Sequence, residues 1–354
     1  MNELLNQNLF SDIKELIKDS RKKIVQTVNT TMVYTYFEIG RLIVENLQDG
    51  KDRASYGKQV LKLLSEQLTK EFGKGFSERN LLNFKIFYQI YSIPQTVSAE
   101  FRLDNSSITS SFSGNKSETV SAKFVLSWSH YVFLMRIDNP DERQFYEIES
   151  YENNWSLREL KRQFDSSLYE RLALSRDKAG VKALSQKGQL IDKPKDIIKD
   201  PYILEFLGLP ENERYSESDL ENKIISKLEH FLLELGKGFT FVARQKRITY
   251  NEKHFFIDLV FYNRLLKAFV IIDLKIGEIK HQDLGQMQMY VNYYDREVKL
   301  EDENKTIGII ICKQKDNALV EMTLPEENEQ IFASKYHLIL PDKQDLKNLI
   351  EETE

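Results

Sequence analysis

Apolar residues in the first ninety positions recur every three or four residues, a spacing that predicts helices. Ser11 is expected to cap the first helix, and a second is expected from about Met32 to Leu47. A third covers ASYGKQVLKLLSEQLTKEF and is ended by glycine at Gly73. Ser77 is expected to cap a fourth, SERNLLNFKIFYQIY. The pattern therefore predicts an all-helical first region.

Helices on both sides of the glycine turn at Gly73 and Gly75 are typical of a helix-turn-helix. In that motif the second helix enters the DNA major groove. Arg79 and Lys85 lie on the second helix and are candidate nucleic-acid-binding residues. The alternative is a hairpin of packed helices without DNA contact.

The pattern changes twice further along the chain. Residues 95–121 are rich in Ser, Thr and Asn, which predicts a flexible loop. Helical spacing then resumes, until the polar residues 176–200, interrupted by Gly and Pro, predict a linker. We therefore expect a helical N-terminal domain over 1–175 and a second domain over 201–354.

The second domain is predicted to be an α/β core. A helix, SDLENKIISKLEHFLLELG, with Ser218 as its expected cap, precedes three strand-like segments, FTFVARQKRITY, HFFIDLVFYN and KAFVIIDLK. A helix from about Asp283 to Asp295 separates these from a further strand, TIGIIICK. This order predicts a mixed sheet with an antiparallel meander and a last strand that returns after a helical crossover.

Composition narrows the classes of protein. A net charge of -5 is not that of a small protein that coats nucleic acid nonspecifically. The longest apolar run, AFVII, is far shorter than the ~20 residues of a membrane helix, and Met1–Asp19 lacks the features of a signal peptide. We expect a cytoplasmic protein without membrane contact. Because Cys312 is the single cysteine, an internal disulfide and a thiolate zinc site are excluded, and it is expected to fill a buried strand.

Three charged residues interrupt strands that otherwise look buried. Asp273 and Lys275 lie two residues apart and so project from the same face of one strand. A hairpin turn at NRLL brings the strand of Asp258 back beside them. Two such close carboxylates repel each other unless a cation lies between them, and Mg²⁺ prefers oxygen ligands. Lys275 could then orient or deprotonate a water molecule, or stabilise charge on phosphorus, as in a phosphodiesterase.

These residues resemble the D...(D/E)xK signature of the PD-(D/E)XK nuclease superfamily. Longer strings in both halves, among them EFGKGFSERNL, NNWSLREL and LLELGKGFTFVARQKRI, resemble the YhcG-like family of bacterial nucleases. The resemblance runs through most of the chain. It implies a restriction-endonuclease-like fold at the C-terminal end, and an N-terminal helical domain that binds DNA or a partner.

By position, the resemblance implies that Asp258 and Asp273 are metal ligands and Lys275 the catalytic lysine. Gln286 and Tyr290 match the QxxxY helix motif of the RecB-like branch and would position DNA or the active-site side chains. The implied activity is that of a metal-dependent DNA endonuclease that uses Mg²⁺, with Mn²⁺ expected to substitute.

The sequence departs from the superfamily pattern in two places. Ile257 stands where the superfamily name places proline, and an aspartate stands at position 273, where glutamate is more common. Many such nucleases also use a carboxylate from the preceding helix. Glu221, Glu229 and Glu234 compete for that role, with Glu221 slightly favoured as a metal ligand.

Cations beside the predicted site are candidates for phosphate contact. Arg244, Lys246 and Arg247 form a basic strand, for which a solvated edge strand is the alternative, and Lys280 lies after the DxK strand. His254 and His281 flank the site and are expected to be ordinary surface residues.

Two further hypotheses concern activity and assembly. The main alternative function is a noncatalytic or partner-dependent DNA-binding and assembly protein that uses the nuclease fold as a scaffold. Cutting both DNA strands with one site per chain calls for two chains, which makes a homodimer a hypothesis from mechanism. The N-terminal helices could instead bind a protein partner.

Overall fold

The structure is a computed structural model in which the chain divides into two compact units, Met1–Leu160 and Lys161–Glu354. The residues that it describes are 7–49, 54–92, 124–174, 178–210, 215–250 and 252–346. The loop predicted at 95–121 lies outside them, and the predicted domain limits stay predictions. No helix among the described residues has the length and apolar content needed to cross a membrane.

Unit 1 is helical, as predicted. Its helices are α1 (Gln7–Asp49), α2 (Ala54–Phe72), α3 (Glu78–Tyr91), α4 (Trp128–Leu134), α5 (Pro140–Glu152) and the first residues of α6 (Leu157–Asp165).

The prediction of two helices before residue 50 was wrong, because α1 runs unbroken through both and Ser11 lies inside it. The polar stretch TVNTT resembles a helix end, but its hydroxyl groups bond back along the helix. Thr31 Oγ1 donates to the Thr27 carbonyl at 2.9 Å, and Thr35 Oγ1 donates to the Thr31 carbonyl at 2.9 Å. Bonds of this kind let threonine remain within a helix.

Helix α3 is the central helix of unit 1. Ser77 caps it as predicted, with its Oγ accepting from the Asn80 amide at 3.4 Å. Its buried face includes Phe84 and packs on α1, where a Cβ at Gly40 would overlap the Phe84 carbonyl. On the same helix Arg79 is exposed and Lys85 is half-buried. DNA contact by α3 stays a prediction.

Unit 2 combines helices with one six-stranded sheet. After the end of α6, its helices are α7 (Leu168–Leu174), α8 (Lys178–Lys187), α9 (Glu217–Ser226), α10 (Leu228–Leu235), α11 (His281–Tyr293) and α12 (Asn317–Thr323). Its strands are β1 (Tyr202–Ile203), β2 (Phe239–Tyr250), β3 (Lys253–Asn263), β4 (Ala268–Glu278), β5 (Ile307–Gln314) and β6 (Ile331–His337).

The strand order is β1-β6-β5-β4-β3-β2. Strands β2, β3 and β4 pair antiparallel, and β5 returns parallel to β4 after α11. This confirms the predicted mixed sheet with its meander and helical crossover. Strands β6 and β1 were not predicted; β1 has only two residues, too few for a periodic signal.

Several helix boundaries differ from the prediction. The helix expected after Ser218 is two helices that meet at Lys227, and its cap is Ser216, whose Oγ accepts from the Asp219 amide at 3.1 Å. Helix α11 starts at His281, and a π-helical turn extends it. The predicted linker 176–200 contains α8 and buried apolar residues.

Two apolar layers cover the sheet. On one face α9 and α10 pack on alternate residues of the central strands, whereas α11 packs on the opposite face. The first layer includes Leu220, Ile224, Phe231, Leu259, Ile272 and Ile309. The second includes Leu284, Met287, Val260, Ile271, Ile310 and Cys312, which is buried as predicted.

A buried ion cluster ties the start of unit 2 to α10. Arg171 and Glu234 are fully buried, with Nη1 of the arginine 2.6 Å from Oε1 of the glutamate. Arg162 lies 3.3 Å from Glu234, and Lys199 donates to the Glu234 carbonyl. Burial raises the pKa of Glu234, but the charges of Arg171, Lys199 and Arg162 outweigh burial and lower it to about 2.

Candidate active site

The pairing of β3 and β4 stops where the predicted site begins. The last paired residues are Leu259 and Ile272, so Asp258 and Asp273 are next in register. Beyond this pair the Leu274 amide bonds to a side chain instead of a β3 carbonyl: it donates to Asp258 Oδ2 at 2.9 Å. The pairing of the two strands ends at this point, and we refer to the space beside Asp258, Asp273 and Lys275 as the cleft.

Lys275 lies beside Asp273 in this cleft. Its Nζ lies 2.8 Å from Asp273 Oδ2 and 3.8 Å from Glu217 Oε2. Burial and the negative charge of Asp258 raise the pKa of Asp273 to about 7, against the opposing effect of Lys275. Burial lowers the pKa of Lys275, but Asp273 outweighs burial and holds it above its ordinary value. Lys275 is therefore a cation at neutral pH.

A carboxylate from α9, that of Glu221, is linked to the Asp258 side of the cleft. Glu221 is buried, and its Oε2 accepts from Gln245 Nε2 at 2.5 Å. The same Gln245 nitrogen donates to Asp258 Oδ1 at 3.1 Å, so one amide bridges the two carboxylates. The other candidates lie apart, because Glu229 is exposed and Glu234 belongs to the buried ion cluster.

Gln245 was missed from the sequence, although the hairpin turn contains a signal. The turn pairs Tyr250 with Lys253, and counting back along both strands places Gln245 opposite Asp258. Gln245 has φ +45, in the left-handed region, which breaks the normal alternation of side chains. Consecutive residues Arg244 and Gln245 therefore both reach Glu221, with Arg244 Nε at 3.3 Å.

Gln286 and Tyr290 lie on α11, behind the site. Gln286 Nε2 donates to the Tyr290 hydroxyl, which in turn donates to the Phe256 carbonyl at 2.9 Å. Tyr290 is fully buried, and burial raises its pKa. The pair thus holds the β3 backbone two residues before Asp258 and, within the described part of the chain, hydrogen-bonds to neither predicted metal ligand.

The cations predicted to bind nucleic acid differ in exposure, in ion pairing and in the unit to which they belong. Arg244 is engaged by Glu221 and also donates to Asn222 Oδ1 at 3.1 Å. Lys246, Arg247 and Lys280 are exposed in unit 2. Arg79 and Lys85 belong to unit 1.

The donor set of the cleft fits a hard divalent cation. Asp273 Oδ2 and Glu221 Oε1 are buried oxygens without a hydrogen bond of good geometry among the described residues. Their partners there are cations, Lys275 at 2.8 Å and Arg244 at 3.3 Å. The repulsion between Asp258 and Asp273 is of the kind that a bound cation relieves. Among the residues that the structure describes, no three His, Cys, Asp or Glu side chains are close enough together to hold a metal ion by themselves. Mg²⁺ commonly needs few protein ligands, since it keeps water and takes phosphate oxygens.

Comparison with known proteins decides the family. Residues 195–351 match the domain described as YhcG PDDEXK nuclease domain, and residues 12–171 match the DUF1016 N-terminal domain. The protein named "Putative nuclease YhcG" of Escherichia coli (strain K12) is 38% identical over 365 residues, which cover 98% of this chain and 94% of the relative. The chain belongs to the YhcG family. It is thus a member of the PDDEXK nucleases, as the resemblance implied.

Two solved structures also match. One is a repair endonuclease from Pyrococcus abyssi, with a TM-score of 0.25 and 17% identity over 37% of this chain and 50% of that chain. The other is EndoMS in its apo form, with the same TM-score and identity over 37% of this chain and 49% of that chain. This chain spans about half of each of these structures.

Proposed function

We propose that this YhcG-family chain is a metal-dependent DNA endonuclease that hydrolyses phosphodiester bonds at the cleft between β3 and β4. The observation that carries the proposal is the row of Asp258 and Asp273 on adjacent strands, with Lys275 Nζ 2.8 Å from Asp273. Two carboxylates and an ammonium group that share one cleft supply both metal ligands and a cation for a phosphate substrate.

Asp258 and Asp273 would hold the metal ion. Among the described residues no three carboxylates are close enough to hold it as they stand, so Glu221 would join as a third ligand through a shift of side chains when the ion binds. A bound Mg²⁺ would supply positive charge to phosphate oxygens and increase the acidity of a coordinated water molecule. Mn²⁺ is expected to substitute, because it also accepts oxygen ligands. Gln245 orients Glu221 and Asp258 through its two hydrogen bonds.

Lys275 acts in this proposal as a fixed positive charge. Because its pKa is held above the ordinary value, it is a poor acceptor for a proton from water. Its ammonium group instead stabilises negative charge that develops on the phosphate oxygens and helps to orient the attacking water. Asp273 and Glu217 on either side keep the ammonium group in place.

DNA is the substrate that we infer from family membership and from exposed cations near the cleft. Lys246 and Arg247 on β2 and Lys280 before α11 are available to phosphate groups. Tyr290, supported by Gln286, fixes the β3 backbone and so positions the strand that carries Asp258.

The test is cleavage of supercoiled, linear, single-stranded and four-way-branched DNA in Mg²⁺, Mn²⁺ or EDTA. Wild type is compared with Lys275→Ala and with Lys305→Ala, an exposed lysine before β5 that serves as a control. We expect metal-dependent cutting of a circular substrate that only Lys275→Ala abolishes. Cutting that survives in Lys275→Ala would refute the site. DNA binding without any cutting would favour the alternative, a noncatalytic or partner-dependent protein on a nuclease scaffold.

Assembly is a separate part of the proposal. One cleft per chain cuts one strand at a time, so a homodimer would allow both strands to be cut. Sedimentation of the full chain with and without DNA tests this, and a monomer under both conditions would contradict it. A protein partner for the N-terminal helices is a further hypothesis from the sequence.

A further inference from the structure

A two-stranded arm extends from the cleft. Pairing of β3 with β4 ends at Leu259, whereas pairing of β3 with β2 continues outward to Tyr250 and Lys253 at the turn. The hairpin beyond Asp258 is therefore not covered by β4 along its edge.

The two faces of the arm differ. Ile248, Phe255 and Ile257 belong to the apolar layer that α11 covers. The opposite face carries Arg247 and Phe256, which are paired in register and exposed, Phe256 to 50%. Adjacent phenylalanines thus point to opposite sides, one to the core and one outward.

The outward face is continuous with the cleft. Side-chain alternation on β3 is interrupted here, since Ile257 and Val260 both lie in the layer that α11 covers. Asp258 is placed on the outward side by its hydrogen bond from Gln245, whose amide also reaches Glu221 of α9, the helix on the sheet face opposite α11. Phe256 is two residues away on β3, roughly 7 Å along the strand. The Tyr290 hydroxyl donates to the Phe256 carbonyl, which ties the backbone at this position to α11.

The same face is positively charged. Arg247 Nη2 lies 3.0 Å from His254 Nε2, and the Thr249 hydroxyl lies 3.0 Å from His254 Nδ1. Within the described ranges Arg247 forms no ion pair with a carboxylate, so its guanidinium charge is available. An arginine beside an exposed aromatic ring has the chemistry of a nucleotide subsite, because the ring stacks on a base and the arginine binds phosphate.

We propose that Arg247, His254 and Phe256 form a subsite for an unpaired nucleotide next to the phosphate that is cut. The base stacks on Phe256, and Arg247 contacts the adjoining phosphate. This deepens the proposed function and rests on it, since the cleft at Asp258 is what makes the neighbouring phosphate the reactive one. The substrate class is DNA with a single-stranded segment, because a base within a duplex is already stacked and costs free energy to extract.

Binding of fluorescent oligonucleotides to the full chain in EDTA tests the subsite without requiring cleavage. The probes are a single strand, the same strand with a run of abasic sites, and the matching duplex. The variants are Phe256→Ala, Phe256→Trp and Arg247→Ala, with Tyr250→Ala as the control, an exposed aromatic at the last residue of β2, next to the turn. Circular dichroism checks that each variant is folded.

We expect Phe256→Ala to weaken single-strand binding about tenfold, within the range for loss of one stacked base. Phe256→Trp should retain affinity, Tyr250→Ala should leave it unchanged, and Arg247→Ala should weaken binding and flatten its salt dependence. Wild type should prefer the intact single strand over the abasic one, and Phe256→Ala should lose that preference.

Equal affinity of wild type and Phe256→Ala for the single strand, or a preference of wild type for the duplex, would overturn the subsite. If wild type cuts DNA while Phe256→Ala binds normally, the subsite is wrong and the proposed nuclease function stands. If Phe256→Ala binds weakly but wild type cuts nothing, the proposed nuclease function fails, and what stands is a single-strand binding site at Phe256 without a cut phosphate beside it.

Discussion

Replacing Glu234 by glutamine should destabilise unit 2 strongly. Glutamine keeps the shape of the side chain but removes the negative charge that faces Arg171 at 2.6 Å. The displacement of the Glu234 pKa from 4.5 to about 2 corresponds to about 3 kcal/mol of favourable interaction with its ionised form. Loss of one partner of a buried ion pair costs a similar amount, about 3 to 5 kcal/mol.

The pH dependence distinguishes this effect from a simple packing defect. A carboxyl group whose folded-state pKa is lowered contributes its full stability above its unfolded pKa of 4.5, and loses it as pH falls toward 2. The difference between wild type and Glu234→Gln should therefore be about 3 kcal/mol at pH 7 and about half of that at pH 3.

Hydrogen exchange of the β4 and β5 amides reports the opening free energy of unit 2 directly. Tryptophan fluorescence would not, because Trp128 and Trp155 both lie in unit 1. Glu229→Gln, an exposed change on the same helix, is the matched control and should shift stability by less than about 0.5 kcal/mol. A loss in Glu234→Gln that is the same at pH 7 and pH 3, or below about 1 kcal/mol at pH 7, would refute the reasoning.

Three further results are expected. Because the pKa of Asp273 is raised to about 7, Mg²⁺ binding should release about one proton per chain at pH 6, about half a proton at pH 7 and almost none above pH 8. Calorimetry in buffers of different ionisation heat measures the protons released, and equal release at pH 6 and pH 8.5 would contradict the expectation. Gly40→Val should lower the stability of unit 1 by about 1 to 3 kcal/mol, because its side chain overlaps the Phe84 carbonyl. Tryptophan fluorescence on heating tests that, with an unchanged midpoint as the opposing result. Gln245→Glu should unfold at a lower temperature than wild type in EDTA, since a third carboxylate then lies beside Glu221 and Asp258. Mg²⁺ should raise the unfolding temperature of this variant by more than it raises that of wild type. An equal rise in unfolding temperature for the variant and wild type on adding Mg²⁺ would argue against this expectation.

The parts of the site that depend on local geometry could be predicted from the sequence. Strand alternation places Asp273 and Lys275 on one face, and a short hairpin turn brings Asp258 beside them. These relations need only the register between neighbouring strands. The same counting on the other hairpin would have identified Gln245.

Other parts depend on packing between distant segments. The choice of Glu221 over Glu234 follows from where Arg171 enters the core, which no local pattern shows. The predicted break in α1 failed because threonine favours helix ends in general, whereas Thr31 and Thr35 bond within the helix here.

Asp258 has a structural role in addition to the metal-binding role that we propose for it. Its carboxylate accepts the Leu274 amide where the strands part, so it holds the backbone that carries Asp273 and Lys275. A lineage that lost catalysis but kept the fold would still be under pressure to retain this aspartate. The Lys275 side chain has no such structural role among the described residues, where it contacts the carboxylates of Asp273 and Glu217. Inactive descendants in this family should therefore be recognisable by a substituted lysine beside a retained aspartate.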